Sequence, residues 1–135
     1  HIDNQFYLSK FRNTRCGLID YQDAVIGPCA YDLVSLTQDA RIDVPKKLEF
    51  ELVNYFLKSN LKIKRENFMF SYNLLGMQRH MKVLGIFRRL SIRDKKNQYL
   101  QYLPRVKNML IDNLKKKKFE KFHSLLSPLL NHVRH

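Results

Sequence analysis

The stretch that most constrains the fold is 66–92, where a helical pattern continues without a proline. Its apolar residues recur at spacings of four and three, at Phe70, Leu74, Met77, Met81 and Leu84. That spacing puts them on one face of a helix and predicts a buried seam. Basic residues follow another face, at Arg79, Lys82, Arg89 and Arg93. The stretch therefore predicts a long central helix with a buried seam and a basic ridge. His80 within it is interpreted as a hydrogen-bonded core or interface histidine, with a ligand contact as the alternative.

Helical patterns also flank the central stretch. Pro45 suits the first turn of a helix over about 45–59, whose apolar face is Leu48, Leu52 and Phe56, with Val53 and Tyr55 beside it. A further pattern runs over 99–114, and Pro104 inside it predicts a kink.

The chain ends on a last helical pattern over 119–130, interrupted at Ser127-Pro128. The lysine run 115–118 before it is interpreted as a solvated helix terminus, where positive charge suits the helix dipole. The part of the chain after residue 44 is thus predicted to be helical throughout.

The segment 17–36 reads as a short strand, an acidic turn and the start of a helix. Asp20 stands where the apolar run Gly17-Leu18-Ile19 stops, and Gly27-Pro28 breaks the chain before the next helical pattern. We predict a hairpin of strands 6–12 and 16–20. Because Asp3 precedes the first strand and Asp20 follows the second, both carboxylates should lie at one end of the hairpin.

The charge of the chain is divided along its length. Residues 1–44 hold four Lys/Arg against six Asp, a net charge of −2, whereas residues 45–135 hold 21 Lys/Arg against six acids, a net charge of +15. Short carboxylates suit turns, helix caps and hard-cation ligands, so the acidic part predicts a magnesium site. We interpret the 135 residues as one domain, with catalytic and metal loops in 1–44 and a helical subdomain in 45–135.

Composition and termini narrow the class of protein further. Basic and aromatic residues do not interleave as in nucleic-acid-binding modules, so we expect no nucleic-acid partner. We see neither a membrane-spanning run nor a signal-peptide pattern, and we expect a cytoplasmic protein without a membrane partner.

The first residue is His1 rather than Met, which indicates a truncated piece. Cys16 and Cys29 are interpreted as buried free thiols, with a disulfide as the alternative.

Three motifs carry a resemblance to a known family. They are His1-Ile2-Asp3, then Ile19-Asp20-Tyr21-Gln22-Asp23-Ala24, then Gly27-Pro28 followed by Tyr31-Asp32-Leu33-Val34. Together they resemble the aminoglycoside phosphotransferase family, which has a two-lobed, protein-kinase-like fold. The segments 78–87 and 99–105 are similar to one branch of it, the bacterial anomeric kinases of N-acetylmuramate and N-acetylglucosamine. The resemblance covers roughly 1–110 and implies a mainly helical α+β C-terminal lobe without the ATP-binding N-terminal lobe.

The resemblance also implies roles for individual residues. Asp3 matches the catalytic aspartate that takes the proton from the sugar hydroxyl, and Asp20 matches the ligand of Mg²⁺ against the ATP phosphates. Asp32 matches a structural position. The expected activity is phosphoryl transfer from ATP to an amino-sugar hydroxyl, with the missing lobe supplying the remaining ATP contacts. Arg79 and Lys82 are candidates to contact the phosphate or sugar, with a solvated basic face as the alternative.

The sequence departs from the family pattern at Leu8. The pattern has an asparagine there as a second magnesium ligand, and leucine offers no oxygen. Asn4 is a candidate substitute, although a residue beside the catalytic aspartate is expected to project in another direction. An inactive remnant or binding module of a split kinase gene is therefore the alternative function.

Overall fold

The chain folds into a helical bundle with a small hairpin at its N-terminal side. The computed structural model describes residues 4–10, 15–20, 22 and 24–132. The strands are β1 (Gln5–Tyr7) and β2 (Cys16–Leu18); the α-helices are α1 (Ala30–Thr37), α2 (Lys46–Ser59), α3 (Arg65–Asp94), α4 (Leu103–Leu114) and α5 (Glu120–His132). Two 3₁₀ segments, Asn97–Tyr102 and Lys117–Phe119, precede α4 and α5. The predicted mainly helical α+β class is confirmed.

The hairpin pairs β1 and β2 in antiparallel register, with Phe6 opposite Gly17. The pairing continues past the strands, because Ile19 N–H donates to Asn4 C=O at 3.0 Å and Leu8 N–H donates to Arg15 C=O at 2.8 Å. Within the described residues, each strand is shorter than the predicted 6–12 and 16–20. The hairpin itself is confirmed, and Asn4 lies at the same end as Asp20.

The predicted seam on α3 is largely wrong. Met77 is buried, but Phe70, Leu74 and Met81 are about two-fifths exposed. The buried side of α3 is instead formed by Phe68, Tyr72, Asn73, Gly76, Met77, His80 and Phe87. Both rows have helical spacing, and α3 packs mainly against α4 and α1. Gly76, in the second row, faces Asn113 of α4 and Val34 of α1. The neighbouring helices therefore decided which face is covered.

Two apolar clusters form the core of the bundle. The first joins α1, α2 and α3 through Ala30, Val34, Val53, Phe68 and Tyr72. The second joins α3, α4 and α5 through Met77, Leu110, Leu114, Phe119 and Leu130. On α2, Val53 is buried whereas Leu48 and Tyr55 are exposed, so the predicted apolar face of this helix is rotated from the observed one.

The predictions for Pro104 and Pro128 are wrong, whereas Pro45 precedes α2 as expected. Pro104 lies in the first turn of α4 and not in its interior, because the residues before it form a 3₁₀ segment. A proline fits there, since the first-turn N–H groups have no partner within the helix. Pro128 lies inside α5, which continues through it, and Ser127 Oγ donates to His123 C=O at 2.6 Å in the same turn.

Two further observations concern the surface of the molecule. Cys16 and Cys29 are free, as predicted, but both are exposed, so the prediction that they are buried is wrong. They lie on the hairpin and at the start of α1, where the bundle does not cover them. Among the described helices, none combines the length and apolar character that a membrane crossing requires.

Candidate functional site

Asp20 lies two residues after β2, at the open end of the hairpin. Its backbone is left-handed, with φ of 62°, a conformation that aspartate adopts more readily than most residues. The residue is exposed to solvent. The chain therefore changes direction at Asp20, just beyond the paired part of the hairpin.

The Asp20 carboxylate is held by two side-chain amides. Asn4 Nδ2 donates to Oδ2 at 2.7 Å, and Gln22 Nε2 donates to Oδ1 at 2.8 Å. Each amide also carries an oxygen, a ligand type that hard divalent cations accept. Both amides present their N–H groups to the carboxylate, so the Asn4 side chain does reach Asp20, and the magnesium site stays a prediction.

Leu8 lies toward the other end of the hairpin. It pairs with Arg15, four residues along the strand from Asn4, which is about 13 Å at the usual rise of a strand. Its side chain covers Gly17, where an added Cβ would stand 3.4 Å from a Leu8 methyl carbon. Leu8 thus packs on the hairpin away from Asp20, and the amides at Asp20 come from Asn4 and Gln22.

Asp3, the predicted catalytic base, and Asp23 lie outside the described residues. Their proximity to Asp20 therefore stays a prediction. Among the residues that the structure does describe, no three carboxylate, histidine or cysteine side chains gather where they would hold a metal ion.

The predicted substrate contacts lie on α3, beside α1. Arg79 stacks over the ring of Tyr31 at 5.4 Å, and its Nη1 donates to the Tyr31 hydroxyl at 3.3 Å. Lys82 is exposed one turn further along. Asp32 is exposed in the first turn of α1, where the helix dipole stabilises a negative charge. The predicted role of Arg79 and Lys82 in binding a phosphate or sugar stays a prediction.

A buried polar network, which sequence reasoning missed, joins α1 to α2 and α3. Glu49 Oε1 accepts hydrogen bonds from Gln38 Nε2 at 2.7 Å and from the Tyr72 hydroxyl at 2.8 Å. Lys46 Nζ contacts the other carboxylate oxygen at 3.0 Å. The Tyr72 hydroxyl is also hydrogen-bonded to that of Thr37. Nothing in the spacing of these residues along the chain signals that they meet.

The network changes the ionisation of its members. Burial raises the pKa of Glu49, but hydrogen bonds from Gln38, Lys46 and Tyr72 together outweigh burial and hold this pKa below its usual range. Burial, reinforced by the charge of Glu49, raises the pKa of the Tyr72 hydroxyl. Glu49 is therefore the ionised centre of the network, and Tyr72 is a permanent donor to it.

The network continues into α4. Asn113 Nδ2 donates to Gln38 Oε1 at 3.0 Å, and Lys116 Nζ donates to Asn73 Oδ1 at 2.5 Å and to Asn113 Oδ1 at 3.2 Å. The lysine run is therefore not simply a solvated helix terminus. Gln38, Glu49, Tyr72, Asn113 and Lys116 all line a cavity of about 340 Å³ between the helices.

His80 is buried, as predicted, next to this network. Within the described residues neither ring nitrogen has a hydrogen-bond partner, so the expected pairing of a core histidine is wrong. Burial and the charge of Arg79 lower the pKa of His80 to about 4, although the backbone of Gln38 opposes the shift. The ring is therefore neutral at physiological pH.

The sequence is similar to three bacterial proteins named N-acetylmuramate/N-acetylglucosamine kinase. The chain is 41% identical to that of Neisseria meningitidis over 102 residues, which span 71% of this chain and 30% of that protein. It is 35% identical to that of Caulobacter vibrioides over 107 residues, or 78% and 30% of the two chains. It is 39% identical to that of Pseudomonas aeruginosa over 95 residues, or 66% and 28%.

These similarities define the class first: the chain is a relative of bacterial sugar kinases. The particular relatives are named kinases of N-acetylmuramate and N-acetylglucosamine, the branch that segments 78–87 and 99–105 resemble, so the predicted resemblance to this branch is confirmed. The chain spans about 30% of the length of the curated relatives it matches. No family model matches the chain.

Proposed function

We propose that this chain is the catalytic-lobe portion of a kinase that transfers the γ-phosphoryl group of ATP to a hydroxyl of an N-acetylated amino sugar. The observation that carries the proposal is the similarity to three kinases of such sugars, at 35–41% identity. The oxygen-bearing side chains gathered at Asp20 support it, because phosphoryl transfer relies on a carboxylate-bound metal.

Each residue of the site has a distinct part in the proposed mechanism. Asp3 accepts the proton of the attacking sugar hydroxyl. Asp20 is the ligand for Mg²⁺, which when bound neutralises charge on the ATP phosphates. Asn4 and Gln22 keep the Asp20 carboxylate oriented through their side-chain N–H groups. The remainder of the kinase supplies the other contacts to ATP.

The metal assignment is tested on the chain itself with Mn²⁺ as the probe. We expect Mn²⁺ to broaden the NMR amide resonances of Asn4, Asp20 and Gln22 first, and Mg²⁺ to reverse the broadening. Asp20→Asn should abolish the effect, whereas Asp32→Asn, an exposed aspartate on α1, should leave it. Broadening that survives Asp20→Asn contradicts the assignment.

The activity is tested on the complete reading frame that contains this chain. We expect Mg-dependent formation of ADP with N-acetylmuramate or N-acetylglucosamine, and a loss of at least about 100-fold in kcat for Asp20→Ala or Asp3→Asn. If the folded protein binds Mn²⁺ yet phosphorylates neither sugar, the substrate class is wrong and the metal assignment stands.

The second candidate function is a non-catalytic binding module. It is favoured by Leu8, which packs on Gly17 and offers no oxygen where the family pattern has a magnesium ligand. Asn4→Ala separates the two candidates. In an active kinase that uses Asn4, this change lowers both the affinity for Mn²⁺ and the turnover. In a non-catalytic module, neither the original protein nor the variant shows turnover.

A further inference from the structure

Helix α5 has more apolar surface than the bundle covers. Leu126 and Leu130 pack in the second core cluster. Phe122, Leu125 and Leu129 remain 49%, 71% and 63% exposed. At about 100° per residue, these five side chains form one continuous stripe of about 140°. Only one half of this stripe is buried against the part of the chain that the structure describes.

Phe122 from the exposed half of the stripe and Leu126 from the buried half form one wall of a groove against α3, and Leu125 and Leu129 continue the apolar surface outward from that wall. A cavity of about 380 Å³ lies between the helices, lined by Leu74, Met77, Gln78, Met81, Phe122 and Leu126. Leu74 and Met81 are 39% and 42% exposed, although both are apolar. One turn beyond Met81, a side chain added at Gly85 would meet nothing within 4 Å, so the surface of α3 stays open there. We call this feature the α3–α5 groove.

The borders of the α3–α5 groove carry positive charge. Between Glu66 and Asp94 the sequence of α3 has no acidic residue. It has exposed cations at Lys82, Arg88 and Arg89, near the apolar residues of α3 that line the groove. On α5, the exposed Lys121 stands next to Leu125 around the helix, and the acid Glu120 points about 140° away from the groove wall.

We propose that the α3–α5 groove binds an acidic amphipathic helix of another protein. An apolar groove accepts the leucine face of a helix, and basic borders attract acidic residues on the flanks of that helix. A second copy of this chain would bring like charge to the groove, because the net charge of the chain is +13. A lipid surface is flat, whereas the α3–α5 groove is concave and has room for protruding side chains.

The test uses this chain and the complete reading frame that contains it, each with a fluorescent helical peptide of about 18 residues that has leucines at heptad a, d and e positions and glutamates elsewhere. Binding to this chain but not to the complete protein overturns the proposal, because the remainder of the kinase then covers the groove. A peptide with lysine in place of every glutamate is the charge control. We expect the acidic peptide to bind with micromolar Kd by fluorescence anisotropy, more weakly as salt rises. Leu125→Asp should weaken binding by at least about tenfold. Leu61→Asp, the same change at a site 88% exposed in the α2–α3 connection, should have no effect.

The charge of the borders is tested by the double variant Arg88→Glu, Lys121→Glu. This variant should also weaken binding of the acidic peptide by about tenfold. Equal binding of the lysine peptide, or equal effects of Leu125→Asp and Leu61→Asp, overturns the proposal. Sedimentation and vesicle flotation address other occupants. A dimer that Leu125→Asp dissociates, or binding to phosphatidylglycerol vesicles that the acidic peptide does not compete for, also overturns it.

Discussion

The hairpin that carries Asp20 and the helical bundle that carries Glu49 hold a carboxylate in opposite ways. Asp20 is exposed and held by two amides from residues of the hairpin and the turn after it. Glu49 is largely enclosed and receives hydrogen bonds from side chains of α1, α2 and α3. A carboxylate that must exchange ligands needs solvent access, whereas one that fixes helix packing needs enclosure. The difference predicts that Asp20 affects binding and Glu49 affects stability.

Removal of Glu49 should have the largest effect on stability. Glu49→Ala leaves Gln38, Tyr72 and Lys46 without their common acceptor, and we expect a loss of about 3 kcal/mol in the free energy of unfolding. Urea unfolding measures it, with the exposed Glu51→Ala on the same helix as control. Equal stability of the two variants would mean that the network does not hold the helices together.

Acid should destabilise the bundle through His80. Its folded pKa of about 4 lies below the usual 6.5, so the unfolded chain binds the proton more readily. The contribution of neutral His80 to the free energy of unfolding is therefore fully present above pH 6.5. It is lost as pH falls toward 4, by about 3 kcal/mol in total. Urea unfolding from pH 7 to 4 measures it. His80→Gln should flatten this slope, and His123→Gln, on α5, should not.

Gly76 should tolerate a side chain poorly. A Cβ there would stand 2.8 Å from Asn113 Nδ2 and from Gln38 Oε1, whereas one at Gly85 would meet nothing. Gly76→Ala should therefore destabilise by about 2 kcal/mol. Gly85→Ala should be neutral or stabilise by up to about 1 kcal/mol, since alanine favours a helix. Similar melting temperatures for the two variants would show that α1 shifts readily.

The smallest effect on stability is expected at Asp20. Asp20→Asn removes a charge from an exposed turn, and we expect the free energy of unfolding to change by less than about 0.5 kcal/mol. Far-UV circular dichroism with urea measures it, while the Mn²⁺ titration of the same sample reports binding. A large loss of stability together with unchanged Mn²⁺ binding would reverse the comparison between Asp20 and Glu49.

Local pattern was sufficient for part of this molecule. The strand end just before Asp20, the hairpin and the helices followed from short apolar runs, breaks at glycine and proline, and helical spacing. Pro104 was misjudged, because the cost of a proline depends on where the helix begins. The hydrogen bond from Asn4 to Asp20 was not predicted, since the sequence does not state the register of the hairpin.

The sequence by itself determined the helices and the hairpin, because hydrogen bonds and side-chain spacing within a few residues decide them. It also carried the motifs that resemble the sugar kinases. Only the tertiary structure decided which face of α3 is buried, since two of its rows have helical spacing and the packing of α1 and α4 selects between them. It also decided that Gln38, Glu49, Tyr72 and Asn113 meet. These residues are far apart in the chain, and polar groups are enclosed together only where packed helices exclude water.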